Sequence, residues 1–269
     1  MELSIVLVTY NSEKFILNCL NSIIRATKGI GHEVIVVDNH STDKTLNLVK
    51  GFLNSLEIIE NAENEGFAKA VNRGLKKSSG EFCLLINPDI IVHSDSLEPM
   101  ISFMRGNPGI GICGCKLLNK DGSLQYSKGS FPTLFSILTR IVLPRKMRRY
   151  HLWGYNKAGK CDWVTGALML IRGRLIERVG YLDEKYFVYY EDVDYCLQAK
   201  RSGFEIFYYP KVEAYHQHPH AISKRNFPIE NEIRKSCLYY FEKNNQFLSS
   251  RILYFLSRHF EQRVSFPDN

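Results

Sequence analysis

The chain has 269 residues, 45% of them hydrophobic and 23% charged, with a formal net charge of +7. That length supports one large α/β domain with a sizeable core, and the composition is that of a soluble globular protein. No run reaches the ~18–20 uninterrupted apolar residues of a membrane-spanning helix. The opening Met1-Glu2-Leu3-Ser4-Ile5 carries neither a basic region nor a small-residue cleavage site, so no signal peptide is read.

Short apolar runs alternate with helical patterns through the first half, the signature of βαβ units and a mostly parallel sheet. Strands are expected at 3–8, 33–37, 56–60 and 81–86. Helices are expected at 13–25, from Asp43 onward with Ser41 and Thr42 as caps, and at 67–77. A helix near 97–105 and a strand near 110–115 follow. Residues 121–160 have little periodicity, and they carry the basic cluster Arg140, Arg145, Lys146, Arg148 and Arg149. An apolar run resumes at 164–171. A helix is expected at 191–202 and a strand at 205–209 ended by Pro210, and the chain reads as helical and aromatic from Ile229. The seven cysteines form no disulfide framework or zinc spacing, and reduced cytosolic thiols fit them best.

In open parallel sheets, ligands bind beyond the carboxyl ends of the strands. The residues there are Thr9, Tyr10 and Asn11 after the first strand, Asp38 and Asn39 after the second, and Asn87 and Asp89 after the fourth. The first turn, Thr9-Tyr10-Asn11-Ser12, holds no glycine, and no phosphate loop ending in Gly-Lys-Ser/Thr is present. Dinucleotide and P-loop chemistry are therefore disfavoured. Asp38 either contacts a ligand or caps the following helix. Asp89 is either one ligand of a divalent cation completed by diphosphate oxygens, or a plain Asn-Pro-Asp turn residue.

Glu191, Asp192 and Asp194 stand together behind Tyr186-Phe187-Val188-Tyr189-Tyr190. Acids favour the first turn of a helix, but three beside five bulky residues exceed what capping requires. Partial burial there would raise a carboxylate pKa toward a useful base. His216, His218 and His220 alternate just past a strand, either as a metal ligand with Asp89 or as solvated side chains.

Taken together, these positions resemble the family 2 glycosyltransferases of the GT-A fold, in the branch of the rhamnosyltransferase-like enzymes of bacterial surface polysaccharides. The resemblance rests on Ser4-Ile5-Val6-Leu7-Val8-Thr9-Tyr10-Asn11, on Val34 through Asp43, and on Asn64-Glu65-Gly66-Phe67-Ala68 through Asn72. Asn87-Pro88-Asp89, Thr165-Gly166-Ala167 and Tyr190-Glu191-Asp192-Val193-Asp194 complete it. It implies an α/β fold with a Rossmann-like central sheet, spanning 1–225 as a nucleotide-sugar half (1–115) and an acceptor half (116–225), with a helical extension at 226–269.

By this resemblance Asp38 contacts the nucleobase beside Thr9 and Tyr10, and Asp89 holds Mg²⁺ or Mn²⁺ against the donor diphosphate with His216 as a further ligand. Asp192 deprotonates the acceptor, with Glu191 next in line. Asn11, Asn64, Gly66, Asn72 and Asn87 are expected on the donor side, and Trp163, Thr165, Gly166 and Asp194 on the acceptor side. Position 87 is Asn where the fuller motif has Asp, which weakens the metal assignment.

The implied partners are a nucleoside-diphosphate sugar and a glycan or lipid-linked saccharide, with no nucleic acid, for a cytoplasmic enzyme. A sugar-phosphate nucleotidyltransferase or a glycan-binding protein on the same scaffold is the alternative. The segment 131–150 either meets an anionic membrane surface, or packs Phe135, Leu138 and Val142 onto the domain with its cations solvated.

Overall fold

The computed structural model describes residues 1–52, 55–94, 96–142, 154–217, 229–244 and 246–259. The first half follows the expected alternation. β1 (Leu3–Thr9), β2 (His32–Asp38), β3 (Glu57–Glu60) and β4 (Phe82–Ile86) are joined through α1 (Ile16–Ala26), α2 (Thr45–Lys50) and α3 (Phe67–Leu75). Register is set by burial on both faces. Ile5 and Leu7 point into one core with Cys19, Leu20 and Ile23 of α1. Their neighbours Val6 and Val8 point into the other with Ala68, Ala70 and Val71 of α3. A parallel strand covered on both sides must be apolar throughout, which is why these runs carry no polar alternation.

The second half comprises β5 (Ile90–Val92), α4 (Leu97–Gly106), β6 (Ile110–Asn119), β7 (Lys128–Gly129), α5 (Leu134–Val142), β8 (Gly159–Cys161), β9 (Trp163–Val164), β10 (Leu168–Arg172), α6 (Gly173–Val179), α7 (Glu191–Arg201) and β11 (Glu205–His216). The main sheet runs β3-β2-β1-β4-β10-β6-β11-β5, with β8 also on β11. It is parallel from β3 to β4. Beyond that it is mixed: β10 lies antiparallel between β4 and β6, and β11 is parallel to β6 but antiparallel to β5.

Three expectations are corrected. Pro210 does not end its strand: a register shift between Tyr209 and Glu213 lets β11 continue to His216. A bulge tolerates a residue without an N–H. The apolar run at 164–171 is two strands, because Thr165-Gly166-Ala167 leaves the small β7–β9 sheet for the main one. Residues 121–160 hold β7, α5 and most of β8, each short. The basic residues Arg145, Lys146, Arg148 and Arg149 lie outside the described residues, as does the side chain of Val142. Of α5, Ile137 is buried, Leu134 and Leu138 pack against the core, and Phe135 is 76% exposed.

The C-terminal helices α8 (Ile229–Lys243) and α9 (Phe247–His259) follow. α8 buries Cys237, Tyr240 and Phe241 in the core behind α7. Lys243 Nζ bridges Asp183 at 2.7 Å and Asp194 at 2.6 Å. This helix is thereby part of the domain's core.

Candidate active site

The carboxyl ends of β1, β2 and β4 open on one rim, as expected of a parallel sheet. Thr9 and Asp38 are register partners at that rim. Asp38 does not cap α2, which begins at Thr45: its Oδ2 accepts the Ser41 N–H of the intervening loop at 2.9 Å, while Oδ1, also buried, has no hydrogen-bond partner among the described residues. Thr9 Oγ1 is in the same condition. Two buried polar atoms without partners at a strand end are costly unless a ligand meets them. Tyr10, the residue after Thr9, is 37% exposed.

The neighbouring asparagines serve the loops. Asn11, with φ at +47°, takes the Thr42 N–H at 2.7 Å on its amide oxygen and gives its own N–H to Ser41 Oγ at 2.8 Å. It thus clamps the β1 turn to the β2 turn. Asn39, named at the strand end but given no role there, is a hub. It donates to Asn64 Oδ1 at 2.8 Å and to the Gly66 carbonyl at 3.2 Å, and accepts from Asn61 at 2.9 Å and the Glu65 N–H at 3.1 Å. Asn64 also accepts the Gly66 N–H at 3.1 Å, so its oxygen is committed within the loop.

The donor-side reading of Asn72 is corrected. Its amide bonds the Leu182 carbonyl at 2.8 Å, Glu184 at 3.0 Å and the Leu182 N–H at 3.0 Å, and the side chain is buried. It fastens α3 to the segment leading to the acidic cluster, and both its N–H donors are spent there. Asp194 is corrected likewise: 2% exposed and paired with Lys243, it anchors α7 to α8 and does not face an acceptor.

Asp192 sits half-buried in the first turn of α7. Its Oδ2 accepts the Gly166 N–H at 2.9 Å and its Oδ1 the Val193 N–H at 2.8 Å. Burial raises its pKa despite these donors and the Thr165 hydroxyl. Glu191 is deeper, and burial with the adjacent Asp192 charge pushes its pKa well up. The turn before them is sharp, since Tyr189 and Tyr190 both have left-handed backbones, φ +66° and +68°. Such residues persist only where their surroundings over-determine them. Here the Phe67 N–H donates to the Phe187 carbonyl at 2.6 Å and Ser236 Oγ to the Val188 carbonyl at 2.9 Å.

The Gly166-Ala167 loop and the Asn87-Pro88-Asp89 turn meet through backbone. Ala167 follows Gly166, and its carbonyl accepts the Asn87 N–H at 2.9 Å. Burial pushes the Tyr189 hydroxyl up to about 12, and the charges of Glu191, Asp192 and Asp89 all add to it. Trp163 borders this loop, its Nε1 donating to the Ser130 carbonyl at 2.9 Å.

β5 lies antiparallel on the end of β11 with Ile90 opposite His216, which brings Asp89 to the imidazole. His216 Nε2 is 3.2 Å from Asp89 Oδ1, both side chains being buried. His218 and His220 lie outside the described residues. Cis ligands of an octahedral cation bound at ~2.1 Å stand about 3 Å apart, so the pair fits two sites on one Mg²⁺ or Mn²⁺. No group of three or more His, Cys, Asp or Glu gathers among the described residues. The other sites would fall to diphosphate oxygens and water.

The family model "Glycosyl transferase family 2" matches residues 4–169, more than half of the chain. The low-salt glycan biosynthesis hexosyltransferase Agl10 of Haloferax volcanii is 26% identical over 94% of this chain and 76% of its own. The N-acetylglucosaminyl-diphospho-decaprenol L-rhamnosyltransferase of Mycobacterium tuberculosis is 26% identical over 82% and 78%. Among solved structures, the mannosyltransferase PcManGT of Pyrobaculum calidifontis, in complex with GDP-Man and Mn²⁺, superposes with a TM-score of 0.62 at 18% identity, covering 91% of this chain and 64% of that one. The rim built by Thr9, Asp38 and Asp89 lies inside the matched span, and the chain belongs to glycosyl transferase family 2 as a glycosyltransferase of the GT-A fold.

Proposed function

We propose that this glycosyltransferase is inverting and moves a hexosyl unit, rhamnose foremost, from a dTDP- or UDP-linked donor onto a glycan or lipid-linked saccharide in surface-polysaccharide synthesis. The observation that carries the reading is Asp192: a half-buried carboxylate with a raised pKa, one peptide from the loop that hydrogen-bonds Asn87. The names of the relatives support the sugar and acceptor class.

In this reading Asp38 and Thr9 hold the base and Asp89 and His216 hold the cation. Asp192 takes the proton of the acceptor hydroxyl as its oxygen bonds the anomeric carbon and the bond to the diphosphate breaks. The cation, when bound, neutralises the charge left on the diphosphate. No helix among the described residues is long and apolar enough to cross a membrane. Contact with a lipid-linked acceptor would be peripheral, and exposed Phe135 beside the basic segment suits an anionic surface.

Screening nucleotide sugars for Mn²⁺-dependent thermal stabilisation identifies the donor. Asp192→Asn should then keep donor binding and lose transfer by ~10²–10⁴-fold. Near-normal turnover in that variant would remove Asp192 as the base. Absence of transfer or donor hydrolysis in the wild type with every donor would favour a binding protein on this scaffold.

A further inference from the structure

Gln125 lies on the loop after β6, 91 residues before His216 in sequence, and is 4% exposed. Its backbone is pinned: the N–H donates to the Leu117 carbonyl at 2.9 Å, and Leu118 and Leu124 form an antiparallel bridge beside it. The side chain therefore arrives at His216 on a fixed stem, with Gln125 Oε1 3.0 Å from His216 Nδ1. On the opposite edge of the same ring, Nε2 faces Asp89 Oδ1 at 3.2 Å.

An imidazole that ligates a metal through Nε2 must carry its proton on Nδ1, and that N–H needs an acceptor when buried. An amide oxygen supplies one. We infer that Gln125 is a positioning residue for the cation: by accepting the Nδ1–H of His216 it fixes the tautomer and ring orientation that turn the Nε2 lone pair toward Asp89. The inference rests on the assignment of Asp89 and His216 as cation ligands and adds the group that aims one of them. Nothing in the chain's motifs marks Gln125, because its partner comes from the far end of a strand whose length a proline conceals. The ring could instead take a hydrogen bond on Nδ1 from the amide NH₂, with Nε2–H donating to Asp89. That arrangement leaves no ligand lone pair, and it separates from the first by experiment.

Outer partners of metal-bound histidines typically change metal affinity by ~10–100-fold. Mn²⁺ binding to the whole chain, followed by the EPR signal of free Mn²⁺ with and without UDP, is the first readout. Gln125→Leu, and Gln125→Met should Leu not fold, removes the acceptor at similar volume and should weaken Mn²⁺ by ~10–100-fold. Gln125→Glu keeps an acceptor and cannot donate, so it should bind Mn²⁺ at least as tightly as wild type. The second readout needs no metal: the ¹⁵N shifts of His216 should show a protonated Nδ1 and a lone pair on Nε2 in wild type and Gln125→Glu, and lose that pattern in Gln125→Leu. Unchanged Mn²⁺ affinity in folded Gln125→Leu, or loss in Gln125→Glu equal to that in Leu, overturns the inference. A wild type that binds no Mn²⁺ overturns the cation site itself, and the ¹⁵N shifts then report separately whether Gln125 sets the tautomer.

Discussion

Gly66→Ala tests whether the Asn64–Gly66 loop and the segment leading into α7 are held to each other. Gly66 has φ +85° and ψ 171°, a region that residues with a Cβ avoid at a cost of about 1–3 kcal/mol. A Cβ there would also lie 2.6 Å from the Phe187 carbonyl oxygen and 2.8 Å from its ring, so the 187 strand of chain must withdraw. Withdrawal weakens the Phe67–Phe187 hydrogen bond, worth about 1 kcal/mol, and adds overpacking of about 1–3 kcal/mol. Gly180 supplies a matched control: φ +88° and ψ −157° place it in the same region, yet a Cβ there meets nothing within 4 Å. Backbone strain is thus common to both substitutions, and the contact belongs to Gly66→Ala alone. The expected difference is about 2–4 kcal/mol, or roughly 4–7 °C in Tm for a chain of this size. Because Tyr189 to Asp192 ride on the displaced segment, kcat should fall about 10²-fold in Gly66→Ala and stay near wild type in Gly180→Ala. Paired thermal melts and initial rates decide it. Equal melting temperatures and equal kcat in the two variants would refute the clamp.

The raised pKa of Asp192 has a sign that can be checked. A carboxylate whose folded pKa exceeds its unfolded value of about 3.9 costs stability as pH rises through the folded value, so Asp192→Asn should melt higher than wild type at pH 7 and equally near pH 3–4. Over the same range wild-type kcat/KM should fall as acid protonates the base. Lys243→Met should cost about 3–5 kcal/mol by stranding buried Asp194, and adding Asp194→Asn should restore most of it in urea melts. Burial alone would raise the pKa of Asp183, but hydrogen bonds from Lys243, the Lys185 N–H and Tyr239 hold it below the usual range. Its share of the stability is therefore present above pH ~4 and lost as pH falls through the folded value, and Lys243→Met should flatten that acid limb. Asp38→Asn should keep the fold and lose ~10–100-fold in nucleotide affinity by isothermal titration, because an NH₂ then replaces the acceptor at Oδ1.

The first half of the fold was legible because β1, β2 and β4 are buried on both faces and their strand ends fall where the apolar run stops. Legibility failed where an element is stabilised from outside itself. Ile90–Val92 is too short to carry a pattern and exists as β5 through its pairing with β11. β11 outlives Pro210 because β6 and β5 hold its far half. The acidic cluster was located by sequence, and the resemblance singled out Asp192 with Glu191 next, but it also put Asp194 on the acceptor side. Asp192 and Asp194 share a helical turn, and only the arrival of Lys243 from α8 separates a half-buried carboxylate from a buried anchor. Asn72 misled for the same reason: its partners lie more than a hundred residues away, at Leu182 and Glu184.

What joins the two ends of the site is mostly backbone. The Asn87 N–H on Ala167 and the Phe67 N–H on Phe187 cross between the residues of 1–115 and those of 116–225, and the Gly166 N–H on Asp192 carries the first link onward. Only Asp192 contributes a side chain to these three bonds, so the side-chain pattern marks Asp192 without the links. A main-chain bond also has little freedom to yield. Movement of the Asn87-Pro88-Asp89 turn must be felt at Ala167, and through the adjoining Gly166 peptide at the carboxylate of Asp192. In the proposed reading, cation binding at Asp89 is thereby linked to the carboxylate of Asp192 through two hydrogen bonds and the Gly166–Ala167 peptide.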